Sequence, residues 1–223
     1  MENSRESLSS SMSILDALNK EDLSLEEVIP LVRSEAQAQQ LIALRKAGQF
    51  SGFDTRDPTE ITWEYGSSGV TGFQVLKGLR KDFHNFRAYF VKQEEGIRFD
   101  LAATQAISEV PIVDLPNETL TGKVRLRCWL SKEPHFDSRS DRDLFSWYQV
   151  VAPDEVDFVW AYCQTGSPLD ERLRFELNYG KLIGERKEKF RAMIDISEAR
   201  EFNKDEFIFE ELVTTEWVLP AVE

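Results

Sequence analysis

Residues 157–170 most restrict what this chain can fold into, because they encode a strand, a turn and a helix start in direct succession. Aromatic residues alternate with small or branched apolar ones, a period of two that is typical of a strand buried on both faces. Thr165 and Gly166 end the strand. Ser167 is a favourable N-cap and Pro168 a favourable first helical residue, so the sequence predicts a helix beginning there.

The predicted helix organises the second half of the chain. Leu169, Leu173 and Leu177 recur every four residues and form one apolar stripe, and Gly180 is expected to end the helix. Three predicted strands precede this helix and two follow it, an order found in the OB fold, a small five-stranded barrel. The strands are expected at residues 124–130, 144–151, 158–163, 190–196 and 207–213.

The first half predicts helices followed by a curved antiparallel sheet, which makes the chain an α+β protein. Residues 1–22 are serine-rich at their start and are expected to be a flexible tail. Ser24 and Glu27 have capping-box spacing, and Ser34 is expected to cap a second helix. The strands are expected at residues 61–65, 70–79, 85–93 and 97–104.

Two prolines, Pro111 and Pro116, precede the restart of period-two patterning at Val124. Prolines in a polar segment between two patterned regions are typical of a domain linker. The sequence therefore predicts a flexible tail over residues 1–22, a cone-like α+β domain over residues 23–110 and an OB-like barrel domain over residues 121–220.

Packing motifs lie at residues 24–33, 125–130, 158–162, 167–171 and 210–213. Together they resemble those of an uncharacterised group of bacterial two-domain proteins. The resemblance implies an N-terminal domain similar to a reduced member of the cone-shaped superfamily of nuclear transport factor and ketosteroid isomerase, with a cystatin-like arrangement of helix on sheet. It implies an OB-like second domain and brings no established activity.

The charge of the chain argues against polyanionic partners. The formal net charge is −13, and residues 111–223 alone contain 15 basic and 23 acidic residues, a balance of −8. Nucleic acid and anionic membranes both attract basic surfaces, so neither is an expected partner. The sequence shows no signal peptide and no long apolar run, so we expect a cytoplasmic protein.

Cysteine and histidine are scarce. Cys128 and Cys163 both fall in strand patterns and are expected to be buried thiols. The two histidines, His84 and His135, are too few to suggest a metal site. No metal and no cofactor is therefore predicted.

No catalytic residue is assigned, because the sequence contains neither a G-x-S-x-G motif nor a glycine-rich phosphate loop. Two groups of ligand-binding candidates remain. A pocket in the cone-like domain could use a carboxylate or histidine among aromatic rings, although Asp100 could also simply face water. An OB-like face could stack bases on aromatic rings beside cations. The candidates are Trp63, Tyr65, His84, Tyr89 and Asp100 for the pocket, and Arg127 and Trp129 for the OB-like face.

The sequence favours a non-enzymatic binding or protein-interaction module, whose partner is another protein or a second copy in a homodimer. One alternative is a small-molecule enzyme or ligand binder that uses the cone-domain pocket. The other is single-stranded nucleic-acid binding by the OB-like domain.

Overall fold

A computed structural model describes residues 4–69, 71–135, 144–179, 185–199 and 203–219. The chain combines a small number of helices with one sheet of four strands and one of five. It forms two compact units, and the boundary between them lies between Gln105 and Ala106.

The first unit places helices against a four-stranded antiparallel sheet whose strands are neighbours in chain order. Phe53, Phe90 and Phe99 are fully or almost fully buried and pack edge to face, which makes them the centre of this core. The helices are α1 (Ser4–Leu18), α2 (Leu25–Val28), α3 (Glu35–Lys46) and α4 (Leu101–Thr104), and the strands are β1 (Thr62–Ser68), β2 (Thr71–Leu79), β3 (Asn85–Gln93) and β4 (Gly96–Asp100).

The prediction of a flexible tail over residues 1–22 does not hold for residues 4–18, because these residues form helix α1. Leu15 and Leu18 lie on one side of this helix and are fully buried. The hydroxyl of Ser11, also fully buried, donates a hydrogen bond to Oε1 of Gln74 on β2, at 2.9 Å. The serines that suggested disorder therefore fasten the helix to the sheet.

The predicted helix caps in this unit are confirmed. Ser24 accepts from the amide of Glu27, whose carboxylate accepts from the Ser24 amide in return, which completes the capping box. Ser34 accepts from the amide of Gln37 at the start of α3. No helix in the described ranges is both long and apolar enough to cross a membrane.

The last predicted strand of this unit is too long at its C-terminal end. Residues 101–104 form helix α4 instead of continuing β4, because the Asp100 side chain accepts from the amide of Ala103, at 3.1 Å. An aspartate at this position satisfies a free amide of the first turn and so favours a helix start.

The second unit pairs each of its five strands with two others. The strands are β5 (Val124–Ser131), β6 (Phe145–Val151), β7 (Phe158–Gln164), β8 (Lys189–Glu198) and β9 (Glu206–Thr214). Their hydrogen-bonded order is β5-β6-β7-β9-β8, and β8 pairs back onto β5. The β7–β9 pair is parallel and the other pairs are antiparallel.

Along the chain, helix α5 (Pro168–Glu176) follows the third strand of this sheet and precedes the fourth. It begins where the sequence predicts. Ser167 is its N-cap and accepts from the amide of Asp170. Leu173 and Leu177 are buried in the core of the unit. The helix ends at Glu176, and Gly180, which was expected to end it, lies outside the described residues.

The linker predicted near residues 110–121 is instead part of the second unit. Ile112, Leu115 and Leu120 are buried in the same core as the five strands. Pro116 lies in a 3-10 turn over Leu115–Asn117, which explains how a proline-containing segment packs on a sheet without joining it.

Candidate functional site

The candidates on the first sheet are divided between its two faces. Trp63 and Tyr65 remain 43% and 51% exposed, and their rings meet edge to face at 5.3 Å. Tyr65 pairs with Gln74, whereas Tyr89 pairs with Val75 and Asp100. Because side chains alternate along a strand, Tyr89 lies on the opposite face from the exposed pair, and it is fully buried.

The two further candidates of this unit differ in their exposure to solvent. His84 lies in the turn before β3 and is largely exposed, with Nδ1 at 3.2 Å from the Asp82 carboxylate. Asp100 is fully buried and does not face water. It accepts from Nη1 of Arg33 at 2.7 Å and from Nε2 of Gln37 at 3.1 Å. The five candidates of the first unit therefore do not form one site.

In the second unit, Arg127 and Trp129 are neighbours in the same strand, β5, but they support the chain's own structure. Arg127 is nearly buried, and its Nε donates to the Trp217 carbonyl at 2.8 Å. Its guanidinium also donates to the Ile107 carbonyl. Trp129 packs edge to face on Trp217 at 5.8 Å, with the Arg191 guanidinium over its ring. These contacts engage the two side chains on which the alternative of nucleic-acid binding depends.

The second unit instead presents five aromatic side chains on the outside of β6 and β7. Their ring pairs lie at 4.9 Å for Trp147 and Tyr162, 5.1 Å for Phe145 and Tyr162, and 6.1 Å for Phe158 and Trp160. The alternate positions of both strands point into the core. We call this set the aromatic face: Phe145, Trp147, Phe158, Trp160 and Tyr162.

The five side chains of the aromatic face differ in their exposure to solvent. Trp147 and Tyr162 are buried, Phe145 and Trp160 are partly buried, and Phe158 is 49% exposed. A ligand approaching from solvent would therefore meet Phe158 and Trp160 first.

His135, from the segment that follows β5, packs on the aromatic face. Its ring lies 4.3 Å from the Trp160 ring and 4.5 Å from the Trp147 ring. Its Nε2 is 2.8 Å from Oε1 of Glu206, which is almost fully buried. The same carboxylate accepts from the backbone amide of Asn203 at 2.9 Å and from its Nδ2 at 3.1 Å. Glu206 thus connects the segment after β5 with the segment before β9.

A cleft of 230 Å³ adjoins Glu206. One wall is the segment after Leu115, and the other contains the end of β8 and the start of β9. Three of its lining residues are acidic and one is basic. The polar residues of the cleft are Asn117, Glu118, Thr119, Glu198, Asn203, Lys204 and Glu206.

The first unit has a larger cleft of 340 Å³, lined in part by Asp54, Arg56 and Asp57. Its central charges neutralise each other, because Nη2 of Arg56 lies 2.6 Å from the Asp54 carboxylate. Hydrogen bonds from Arg56 lower the pKa of Asp54 to about 2. The pair accounts for one of three acidic residues, because Asp57 and Glu60 also line this cleft, so its lining keeps a negative balance.

A group of Lys132, Tyr148 and Asp170 resembles catalytic machinery in residue type but is buried. The Tyr148 hydroxyl donates to Oδ1 of Asp170 at 2.6 Å, and the Gly166 amide donates to Oδ2 at 3.0 Å. Nζ of Lys132 lies 3.5 Å from Oδ1. Tyr148 and Asp170 are both fully buried, so a substrate cannot reach them.

Burial by itself raises the pKa of Asp170, but the hydrogen bonds from Tyr148 and Gly166 outweigh it and hold the pKa below its usual value. Burial raises the pKa of the Tyr148 hydroxyl and lowers that of Lys132. Burial also raises the pKa of the nearby Cys163 thiol to about 12. The Asp170 carboxylate therefore stays charged inside the unit. It accepts from Tyr148 on β6 and from Gly166 just before α5, and so it fastens the helix to the sheet.

Within the described residues, no three histidine, cysteine or acidic side chains are grouped so that they could hold a metal ion. No family model, curated protein or solved structure matches the chain.

Proposed function

We propose that the protein is a non-enzymatic binding module and that its second unit is an OB-like barrel that holds a ligand on the aromatic face. The observation that carries the proposal is the set of aromatic rings on the second and third strands, outside the core. OB folds bind ligands on these two strands, with the loops after the first and fourth strands at the sides. His135 and Asn203 come from those two positions here.

The strand order supports the OB-like assignment. Each strand has two neighbours, the third and fifth strands are parallel, and the helix lies between the third and fourth strands. The helices on a four-stranded antiparallel sheet in the first unit likewise support the proposal of a reduced cone-like domain.

The buried carboxylates support a role without catalysis. A general base needs access to substrate and a free lone pair. Asp100 and Asp170 are fully buried and accept hydrogen bonds from their own chain. Both therefore stabilise the fold, and the proposed role of the protein is recognition.

Replacing Trp160 with alanine is expected to weaken ligand binding by about 10-fold or more, since stacking on an aromatic side chain is worth ~1–3 kcal/mol. Isothermal titration calorimetry would compare the parent and Trp160→Ala, with a neutral oligosaccharide, a short oligothymidylate and a lysine-rich peptide as probes. Trp160 is partly buried on the outside of β7, so its loss leaves the core intact.

The matched control is Phe175→Ala, which removes a ring that is 63% exposed on α5 and is not part of the aromatic face. The control variant should bind as the parent does. Equal affinity of parent and Trp160→Ala for whichever probe binds would contradict the proposal, and so would failure of every probe to bind.

A further inference from the structure

Three cations from separate parts of the second unit surround the ring of Tyr179. Nζ of Lys132 lies 5.4 Å from the ring centroid, Cζ of Arg174 lies 5.4 Å from it and Cζ of Arg186 lies 4.9 Å from it. Lys132 follows β5, Arg174 lies on α5 and Arg186 precedes β8. We call these three side chains the cationic cluster. Such a grouping is unexpected in a chain whose net charge is −13.

The neighbouring carboxylates do not fully neutralise the cationic cluster. Asp170 lies 3.5 Å from Lys132 and 3.7 Å from Arg174, and a second acid, Glu133, lies 3.9 Å from Arg186. Within the described ranges, no further carboxylate comes within 4 Å of the three cations. All three distances exceed the ~2.7–2.9 Å of a charge-assisted hydrogen bond. One positive charge remains in excess, and the pairing of the others is loose.

The hydrogen-bond donors of the two arginines lack acceptors in the protein. The Asp170 carboxylate is engaged elsewhere, because it accepts from the Tyr148 hydroxyl and the Gly166 amide. In the part of the chain that the structure describes, the Arg174 guanidinium donates no hydrogen bond, and that of Arg186 donates only to a backbone carbonyl just after β5. A guanidinium has five N–H donors in a planar fork, so most donors of the cluster remain available to a ligand.

The arginines of the cationic cluster are open to solvent, whereas its lysine is not. The side chains of Arg174 and Arg186 are 41% and 50% exposed, and that of Lys132 is 14% exposed. An incoming anion would therefore contact the two guanidinium groups. Burial lowers the pKa of Lys132, and the Arg174 charge lowers it further, although the Asp170 charge opposes both. A bound anion would relieve this repulsion between neighbouring cations.

We propose that the cationic cluster binds a phosphate group, either free or attached to a small molecule. A guanidinium matches two phosphate oxygens with two parallel N–H donors, and a tetrahedral phosphate has enough oxygens for both arginines. A carboxylate has two oxygens, which a single guanidinium would use up. A phosphate monoester also carries about −1.5 to −2 charges at neutral pH, which suits three cations better than a single negative charge does. None of these residues belongs to the aromatic face, so the site does not depend on the ligand proposed there.

Phosphorus-31 NMR titrations at constant ionic strength would measure binding of inorganic phosphate and of glycerol phosphate to the full chain. Arg174→Gln and Arg186→Gln are each expected to weaken binding by about 10-fold or more, because hydrogen bonds between charged groups are the strong ones. Both side chains reach solvent, so replacing either one leaves the core intact. The matched control is Lys123→Gln, which removes a 56% exposed positive charge from the same unit outside the cluster and should bind as the parent does.

The two probes also distinguish the sources of the phosphate. Binding that both arginine variants weaken would support the proposal, and the probe that binds would identify free phosphate or a phosphate ester as the ligand. Either arginine variant decides the matter if the other does not fold. An equal loss in Lys123→Gln would reduce the effect to the overall charge of the chain and overturn the proposal. Failure of both probes to bind, or binding that neither arginine variant weakens, would overturn it as well.

Discussion

Replacing Asp170 with alanine is expected to lower the free energy of unfolding by about 3–5 kcal/mol, the cost of removing one partner from a buried charged network. The change leaves the Tyr148 hydroxyl and the Gly166 amide without their acceptor, and Lys132 without its nearest carboxylate. It also removes the contact that fastens the α5 start to β6. Chemical denaturation monitored by circular dichroism would measure the loss.

Glu155→Ala is the matched control for this result. Its carboxylate pairs with Lys189 at the surface of the same unit, where an ion pair is worth about 1 kcal/mol or less. The pKa of Asp170 is lower in the folded chain, so its contribution is fully present above about pH 4 and is lost as the pH falls through the folded-state pKa. Equal stability losses in the two variants would contradict the structural role given to Asp170.

Asp100→Ala is expected to have an effect of similar size in the first unit, also about 3–5 kcal/mol. Its buried carboxylate accepts from Arg33, from Gln37 on α3 and from the first turn of α4. Alanine would leave the Arg33 guanidinium, which is only 15% exposed, without this partner and would remove the cap of α4. The measurement is the midpoint and slope of urea denaturation.

Glu95→Ala provides the comparison, since Glu95 is 87% exposed and pairs with Arg98 on the same sheet. It should cost about 1 kcal/mol or less. A stable Asp100→Ala protein would mean that the carboxylate does not hold these elements together. In that case Asp100 would again be a candidate for a catalytic or ligand-binding carboxylate.

Local signals made part of the fold predictable. The caps at Ser24, Ser34 and Ser167 depend on one side chain and an amide three residues later, so sequence spacing is sufficient to predict them. Strand β3 coincides with its predicted range, because it alternates cleanly between turns. These features need no knowledge of distant residues.

The errors came from residues whose role is set by distant partners. The serines of α1 indicate disorder until Gln74 is seen to accept from Ser11. Pro111 and Pro116 suggest a linker until Ile112 and Leu115 are found in the core. Burial of Asp100 likewise depends on Arg33, 67 positions away. The local periodicity of the sequence does not indicate any of these long-range contacts.

The aromatic face was missed although β7 carried a signal. Its aromatic residues lie on one side and its small residues, such as Ala161, on the other. The side with the smaller residues packs in the core, but that core also contains large rings such as Tyr148, so residue size alone does not decide which side faces inward. The pattern predicts burial of both sides of β7, and the sequence therefore indicates Arg127 and Trp129 as the candidates of the OB-like face.

The most direct test of the proposed binding face uses the indole N–H signals of the five tryptophans in a nitrogen-15 NMR spectrum. The protein would be titrated with whichever of the three calorimetry probes binds, and the signals would be assigned by single Trp→Phe variants. The signals of Trp147 and Trp160 on the aromatic face are predicted to shift, while that of Trp63 on β1 of the first unit stays in place. A shift of the Trp63 signal, with the Trp147 and Trp160 signals unchanged, would contradict the proposal that the ligand binds to the aromatic face.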